Sequence, residues 1–317
     1  MIFKFLPGLY LGWGLGSNDA ANVFGPQVNA GTIRYRNAVI LAAIFIIIGA
    51  VLEGRGGFST IGGISTLVLA TAIIGALAAA ITVNVMSHLG LPVSTSQAVI
   101  GSIIGLSLLN RNPVDYARLS KIFICWMLTP LGSAIFAFVL YNLLAVIWQR
   151  RARNLIMFNS TVKLLSILIG CYAAYGLGAN NVANVMGMFV GANLISPFWA
   201  TILGGISICT GVLTYSRKVM YTVGKKLTPL DPFTALVAVM AEALTLHIFA
   251  MIGVPVSSSQ AVVGAVVGVG LVKGTNMINR ATLIMILVGW ILALIGSAVL
   301  AYIMGWLVGR WWPLAMG

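Results

Sequence analysis

Apolar positions gather into about ten long stretches, near 2–24, 37–53, 60–86, 90–109 and 120–148, then 162–187, 195–214, 233–251, 253–272 and 280–309. One bilayer crossing takes about 20 predominantly apolar residues. No Lys, Arg, Asp or Glu lies between Arg55 and Arg111 or between Lys163 and Arg217, so each of those runs holds two or more spans. Gly, Pro and Asn interrupt several stretches and leave their ends loose. The pattern predicts an all-α polytopic membrane protein.

The pattern also repeats. GSNDAANVFG at 16–25 returns as GANNVANVMG at 178–187, and GLPVSTSQAVIGSIIG at 90–105 returns as GVPVSSSQAVVGAVVG at 253–268. The shifts are 162 and 163 residues, so order and spacing are both kept. Apolar composition alone would not preserve Asn, Gln and Pro, and duplication follows. We divide the chain into a first repeat (1–149), a basic linker (150–160) and a second repeat (161–317). Five segments per half is an odd number, so the second half is expected to cross the membrane upside down. Two inverted-topology repeats, with broken half-helices meeting at the midplane, are a recurring design of secondary transporters.

Composition agrees: 60% of residues are hydrophobic, against 18 basic and 5 acidic side chains. That charged fraction is far below the roughly one quarter of a soluble domain. A net charge of +13 would suggest nucleic acid elsewhere, but here the basic residues sit in short breaks between apolar stretches. Alternating the segments collects Arg34, Arg36, Arg150, Arg151, Arg153, Lys163, Arg217, Lys218, Lys225, Lys226, Lys273 and Arg280 on one face. The other face holds Lys4, Arg55, Arg111, Arg118, Lys121 and Arg310. The positive-inside rule places the richer face in the cytoplasm and both termini outside. Cys125, Cys171 and Cys209 are odd in number and lie in apolar stretches, which implies no disulfides. Lys4 leads into a stretch with no cleavage site, read as the first span.

In the first motif pair, Asn18 with Asn22 and Asn180 with Asn184 are four apart, on one helix face, with Asp19 or Asn181 beside them. Flanking glycines suit an unwound or a closely packed helix. Amide, carboxylate and freed carbonyl oxygens are hard ligands for a small cation such as sodium. Interhelical amide bonding would also use such residues. The carboxylate of Asp19 in an apolar setting is costly and favours a functional role.

In the second pair, Pro92 and Pro255 disfavour a continuous helix, and Ser94 and Ser257 follow as N-caps. A helix that begins in mid-membrane exposes unpaired N–H groups and the positive end of its dipole. Ser94, Thr95, Ser96 and Gln97, with Ser257, Ser258, Ser259 and Gln260, add neutral donors. Two such cradles related by inversion can converge on one tetrahedral oxyanion. Close packing at a Pro kink explains one copy of this motif better than two.

Other residues carry less. Glu242 lies mid-segment with no acid at the matching place, and suits either a proton or cation role or a packed carboxyl. His247 matches Asn84; Arg55 matches Arg217, both at segment ends where interfacial anchors are common; Trp306, Trp311 and Trp312 read as an interfacial belt. A serine hydrolase built from Ser96, Ser258, His88 and His247 fares poorly. The two His are not equivalent in the repeats, and a triad does not need the duplication that an oxyanion site does. A passive channel differs from a coupled carrier only in its gradient dependence.

The two GxN(D/N)xANV motifs, both PVS(T/S)SQ stretches and SRKVMYTVGKKLTPLDP at 216–232 resemble the inorganic phosphate transporter family of sodium- or proton-coupled permeases, across nearly the whole chain. The resemblance implies a homodimer of inverted-repeat protomers in the cell membrane and no catalytic activity. It implies that Asp19 and the Asn residues Asn18, Asn22, Asn180, Asn181 and Asn184 bind the cation and take part in phosphate binding, while the eight residues of the PVSxSQ stretches hold the anion. Sulfate is the alternative substrate. Three departures stand out: Asn181 where members carry a second Asp, Gln97 and Gln260 where many carry His, and apolar Ile46 to Ile48 where a Glu is expected. Glu242 stands one turn beyond its expected place near Val239.

Overall fold

In hydrocarbon every backbone polar group needs an internal partner, and helices supply it. The computed structural model describes residues 2–88, 93–151, 155–226, 230–274 and 280–311. After a short 3-10 turn the described residues form α1 (Leu6–Val23), α2 (Gly25–Asn29), α3 (Tyr35–Glu53), α4 (Gly56–Gly62), α5 (Leu69–His88) and α6 (Thr95–Asn110). They continue as α7 (Tyr116–Arg151), α8 (Leu155–Gly191), α9 (Pro197–Lys226), α10 (Pro232–Ile252), α11 (Ser258–Lys273) and α12 (Arg280–Trp311). The ten expected stretches are present, with two corrections. The stretch 60–86 is split, because α4 closes at Gly62 and α5 opens only at Leu69; the short α2 also follows the first span. Pro92 and part of the 150–160 linker (152–154) lie outside the described residues.

Among the described residues seven helices are long and apolar enough to cross a membrane. The polar residues of α1 lower its hydropathy, and α6 and α11 are too short. At 16 residues each, they reach about 24 Å, less than the roughly 30 Å hydrocarbon core. Each is the return arm of a hairpin. At the open end of the first hairpin, Asp115 N donates to Ile64 O at 2.8 Å and Ser65 pairs with Val114. At the second, Lys273 pairs with Asp231, which also caps α10 through the N–H groups of Phe233 and Thr234. Burial would raise the Asp231 carboxyl, but these partners outweigh it and hold it below the usual carboxylate range.

The halves are interlocked rather than side by side. The most extensive contacts join α1 to α9, α3 to α8, α6 to α12 and α7 to α11, and each crosses between the halves. Glycines allow this close approach. A Cβ at Gly16 would overlap the Ile208 carbonyl, and at Gly178 the Ile46 carbonyl; Gly49 and Gly211 meet Tyr175 and Trp13 in the same way. In the return arms Gly101 and Gly105 lie on the Leu294 and Ala298 carbonyls, and their counterparts Gly264 and Gly268 on Pro130 and Ala134. Each glycine and its sequence counterpart thus meet counterpart carbonyls, which is the signature of an internal two-fold relation. The equivalent helices α1 and α8 run antiparallel: Gly8 faces Val185 and Phe189, whereas Phe24 faces Gly170.

Six of the basic residues group at two ends, three at each. Arg118 donates to Ser59 O, Lys4 approaches Leu194 O and Arg55 lies over the Phe198 ring, which joins those three at one end. At the other, Arg217 lies over the ring of Tyr35, which sits between Arg34 and Arg36.

The glycine contacts generate a stability test. Gly105→Ala and Gly268→Ala force a methyl into a backbone carbonyl and should each destabilise by about 1–3 kcal/mol. Gly132→Ala in α7, where nothing lies within 4 Å of the new methyl, should leave stability unchanged or raised by about 0.5–1 kcal/mol. Thermal unfolding in detergent distinguishes the two classes. Equal midpoints for all three variants would contradict the close-packing account.

Candidate functional site

The return arms begin where the sequence places their caps. Ser94 and Ser257 have extended backbones, and their hydroxyls accept from Gln97 N at 3.3 Å and Gln260 N at 3.4 Å. Before the second arm the chain leaves α10 through Gly253, whose φ of +74° favours glycine. Capping occupies part of the hydroxyl set. Ser94 and Ser96 lie 3.3 Å apart, Ser257 and Ser259 2.8 Å apart, and Ser259 Oγ donates to Val93 O at 2.9 Å. That last bond joins the tips of the two hairpins.

The first motifs come to the same place from other helices. GSNDAANVFG lies on α1, which continues to Val23, and GANNVANVMG lies inside the uninterrupted α8. The motif helices are not unwound. Their glycines serve close packing instead, so backbone carbonyls are not freed as ligands and side-chain oxygens remain. Asn22 Nδ2 donates to the Ser258 hydroxyl at 3.2 Å, and the buried Asp19 lies on the same stretch of α1. Asn18 is buried beside them. Asn180 holds the break before α11, accepting from Val256 N at 3.0 Å and pointing its amide at Val254 O, 3.4 Å away. Asn184 donates to Asn181 at 3.0 Å, and α8 touches α6 as α1 touches α11.

All fourteen candidate side chains of the motifs are therefore buried, and several of their polar atoms have no partner among the described residues. These are Asp19 Oδ1, Thr95 Oγ1, Gln97 Oε1, Asn181 Nδ2, Asn184 Oδ1 and Gln260 Oε1. Leaving such atoms buried costs about 1–3 kcal/mol each. These atoms fall on all four motifs, and further unpartnered polar atoms lie elsewhere among the described residues, at Gln27, Ser133 and Ser166 for example. Glu242 adds to them. The residue is fully buried on α10, both of its oxygens are unpartnered, and it lies close enough to Asp19 for their charges to act on each other. Among the described residues no Lys or Arg pairs with either carboxylate.

The histidines serve elsewhere. His88 Nδ1 is 2.9 Å from Asn84 O and its ring stacks near Tyr215. His247 Nδ1 is 2.7 Å from the Tyr172 hydroxyl and its Nε2 is 3.1 Å from Glu53. Neither ring has a serine partner, which removes the geometry of a hydrolase. The Glu53–His247–Tyr172 cluster was not anticipated. Glu53 is one of only five acids in the chain, and that scarcity was the signal available.

Comparison with known proteins agrees with this architecture. A profile of the phosphate transporter family matches residues 15–301. A Methanocaldococcus jannaschii protein, provisionally named a phosphate permease, is 30% identical over 97% of this chain and 96% of its own. A similarly named Pyrococcus furiosus protein is 28% identical over 95% and 94%. In Arabidopsis thaliana the chloroplastic inorganic phosphate transporter 2-1 is 24% identical over 95% of this chain and 70% of its own. A solved structure titled "The sodium-dependent phosphate transporter" superposes with a TM-score of 0.86 at 23% identity, covering 98% of both chains. The relatives are transporters, not enzymes.

Proposed function

Because the chain belongs to the phosphate transporter family, we propose that it is a secondary transporter importing inorganic phosphate, driven by sodium or protons through alternating access. The observation that carries this reading is the buried, largely unpartnered polar cluster where both repeats bring both of their motifs. A multiply charged oxyanion needs donors in place of its water shell. Thr95 Oγ1, the Asn181 amide and the N–H groups opening α6 and α11 are such donors. The hydroxyls of Ser94 and Ser257 act one step back, by fixing those helix starts. Unpartnered acceptors at Asp19, Gln97 and Gln260 suit the O–H of hydrogen phosphate, which sulfate lacks.

The cation reading rests on charge. Asn181 removes the carboxylate that a symmetric site would have, and Glu242 supplies a second buried one from α10, which packs against α1. Two buried carboxylates beside an anion require a cation, and Asp19, Glu242 and Asn22 offer the hard oxygen ligands that sodium takes. The structural relative's title names sodium, which supports sodium over protons. In this reading the internal two-fold lies in the membrane plane and inverts the repeats. The end holding Arg34, Arg36 and Arg217 then faces the cytoplasm.

Uptake of labelled phosphate into proteoliposomes should require an imposed sodium or proton gradient and resist excess sulfate. Asp19→Asn should abolish it, and Asn181→Asp should alter its cation dependence. Gradient-independent flux would identify a passive channel, and preference for sulfate would transfer the site to that anion. Full coupled uptake by Asp19→Asn would overturn the mechanism. For orientation, Tyr116→Cys should react with an impermeant maleimide from outside intact cells and Asn37→Cys should not; the reverse pattern would invert the assignment.

A further inference from the structure

Of eighteen basic residues, the alternation assigns six to the poorer end; one of them, Arg55, lines a cavity there, and Arg118 and Lys4 bond to backbone beside it. The cavity, of about 580 Å³, lies between α4, the end of α8 and the start of α9, and is lined by Arg55, Phe58, Ser59, Asn193, Ser196 and Phe198 among others. No Asp or Glu lines it. The Arg55 guanidinium sits 5.6 Å from the centre of the Phe198 ring and makes no ion pair among the described residues. Arg118 donates to Ser59 O on one wall, offset by its pair with Asp115 at 2.9 Å. Lys4 Nζ is 3.5 Å from Leu194 O, next to Asn193 on the rim. Arg55 is thus the charged residue of the lining, with Arg118, its partner Asp115 and Lys4 close by.

The cavity is tied to the second cradle through α4. Ser59 faces the cavity, whereas Thr60 Oγ1 donates to Gly253 O at 2.6 Å and Gly57 packs against Ala183 and Pro255. One short helix thus separates the basic mouth from the break that opens α11. The buried cluster contains no Lys or Arg, so long-range attraction of an anion has to arise outside it. A guanidinium pinned on an aromatic ring in a concave, acid-free wall raises the local anion concentration, and its planar fork suits oxyanions.

We propose that this cavity is an outer collecting site in which Arg55, with the hydroxyls of Ser59 and Ser196, holds a hydrated inorganic oxyanion before it reaches the buried cradle. The transported identity of that anion rests on the function proposed above; the binding site does not.

Two measurements keep these apart. The first is iodide quenching of Trp199, which neighbours Phe198 at 5.6 Å and is 58% exposed. Its signal is isolated by difference from Trp199→Phe. In purified protein at low salt, Arg55→Gln should lower iodide quenching by roughly two- to fivefold, the effect of one unit charge in a wet mouth. Inorganic phosphate should compete with iodide in the unsubstituted protein, quenching by neutral acrylamide should be unchanged, and Arg55→Lys should restore most of the effect. The second is phosphate uptake, where Arg55→Gln should raise the half-saturation concentration by a similar factor with the maximal rate kept, and added salt should erase the difference. Phosphate-displaceable quenching in a protein that transports no phosphate would sink the transport reading and leave the collecting site standing. Identical iodide quenching in the unsubstituted and Arg55→Gln proteins would overturn the collecting site, as would identical low-salt half-saturation in a protein that does transport. Should Arg55→Gln fail to fold, iodide quenching of Trp199 in the unsubstituted protein should be displaced by phosphate and weakened by added sodium gluconate at fixed iodide; insensitivity to both would overturn the proposal.

Discussion

Two carboxylates, Asp19 and Glu242, are buried among apolar helices without an ion-pair partner among the described residues, and the rest of the arrangement answers to that constraint. A charge in such a place is disfavoured unless something neutralises or solvates it. The chain offers hydroxyls, amides and helix starts, all neutral. Neutral groups can hold an ion and release it, whereas a buried Lys or Arg would bind an oxyanion with its charge fixed in place. In the proposed function, the same neutrality makes cation and anion depend on each other: each makes the other's burial less costly.

Interlocking follows from the need to bring four motifs to one point. Asp19 and Asn22 come from α1 and Ser258 from α11, in opposite halves, while Ser259 on α11 reaches across to Val93 at the other hairpin tip. Such crossings are possible only if helices approach to backbone distance, which Gly16, Gly101, Gly178 and Gly264 permit. Small residues at helix crossings are the usual membrane solution, because lipid gives no hydrophobic drive for association. The site and the fold therefore share one cause: paired glycine contacts set the crossings, and the crossings assemble the cluster.

Much of this was legible in the sequence. The serine caps at Ser94 and Ser257 are present as read, the duplication returns in the counterpart glycine contacts, and the apolar stretches hold apart from the split in 60–86. What was not legible depended on contacts rather than pattern. Glycines beside Asn18 and Asn180 are equally compatible with unwinding and with close packing, and only the facing carbonyls of Ile208 and Ile46 decide for packing. The role of Glu242 turned on its distance from Asp19, across helices whose order in space the chain does not spell out. Arg55 read as an interfacial anchor because a segment end looks alike whether it meets lipid or lines a cavity. The hydroxyls read as six donors, yet the O–H of Ser259 goes to Val93 O, and Ser94 pairs with Ser96 as Ser257 does with Ser259.

The central claim is that cation and oxyanion occupy one buried cluster that holds no Lys or Arg, and so bind as a coupled pair. Equilibrium binding of phosphate to the purified protein, measured calorimetrically across sodium concentration and pH, tests it without any transport step. The account predicts that phosphate affinity rises steeply with one of these cations, and that phosphate raises that cation's affinity by the same factor, as linkage requires. Phosphate affinity indifferent to both sodium and pH would contradict it.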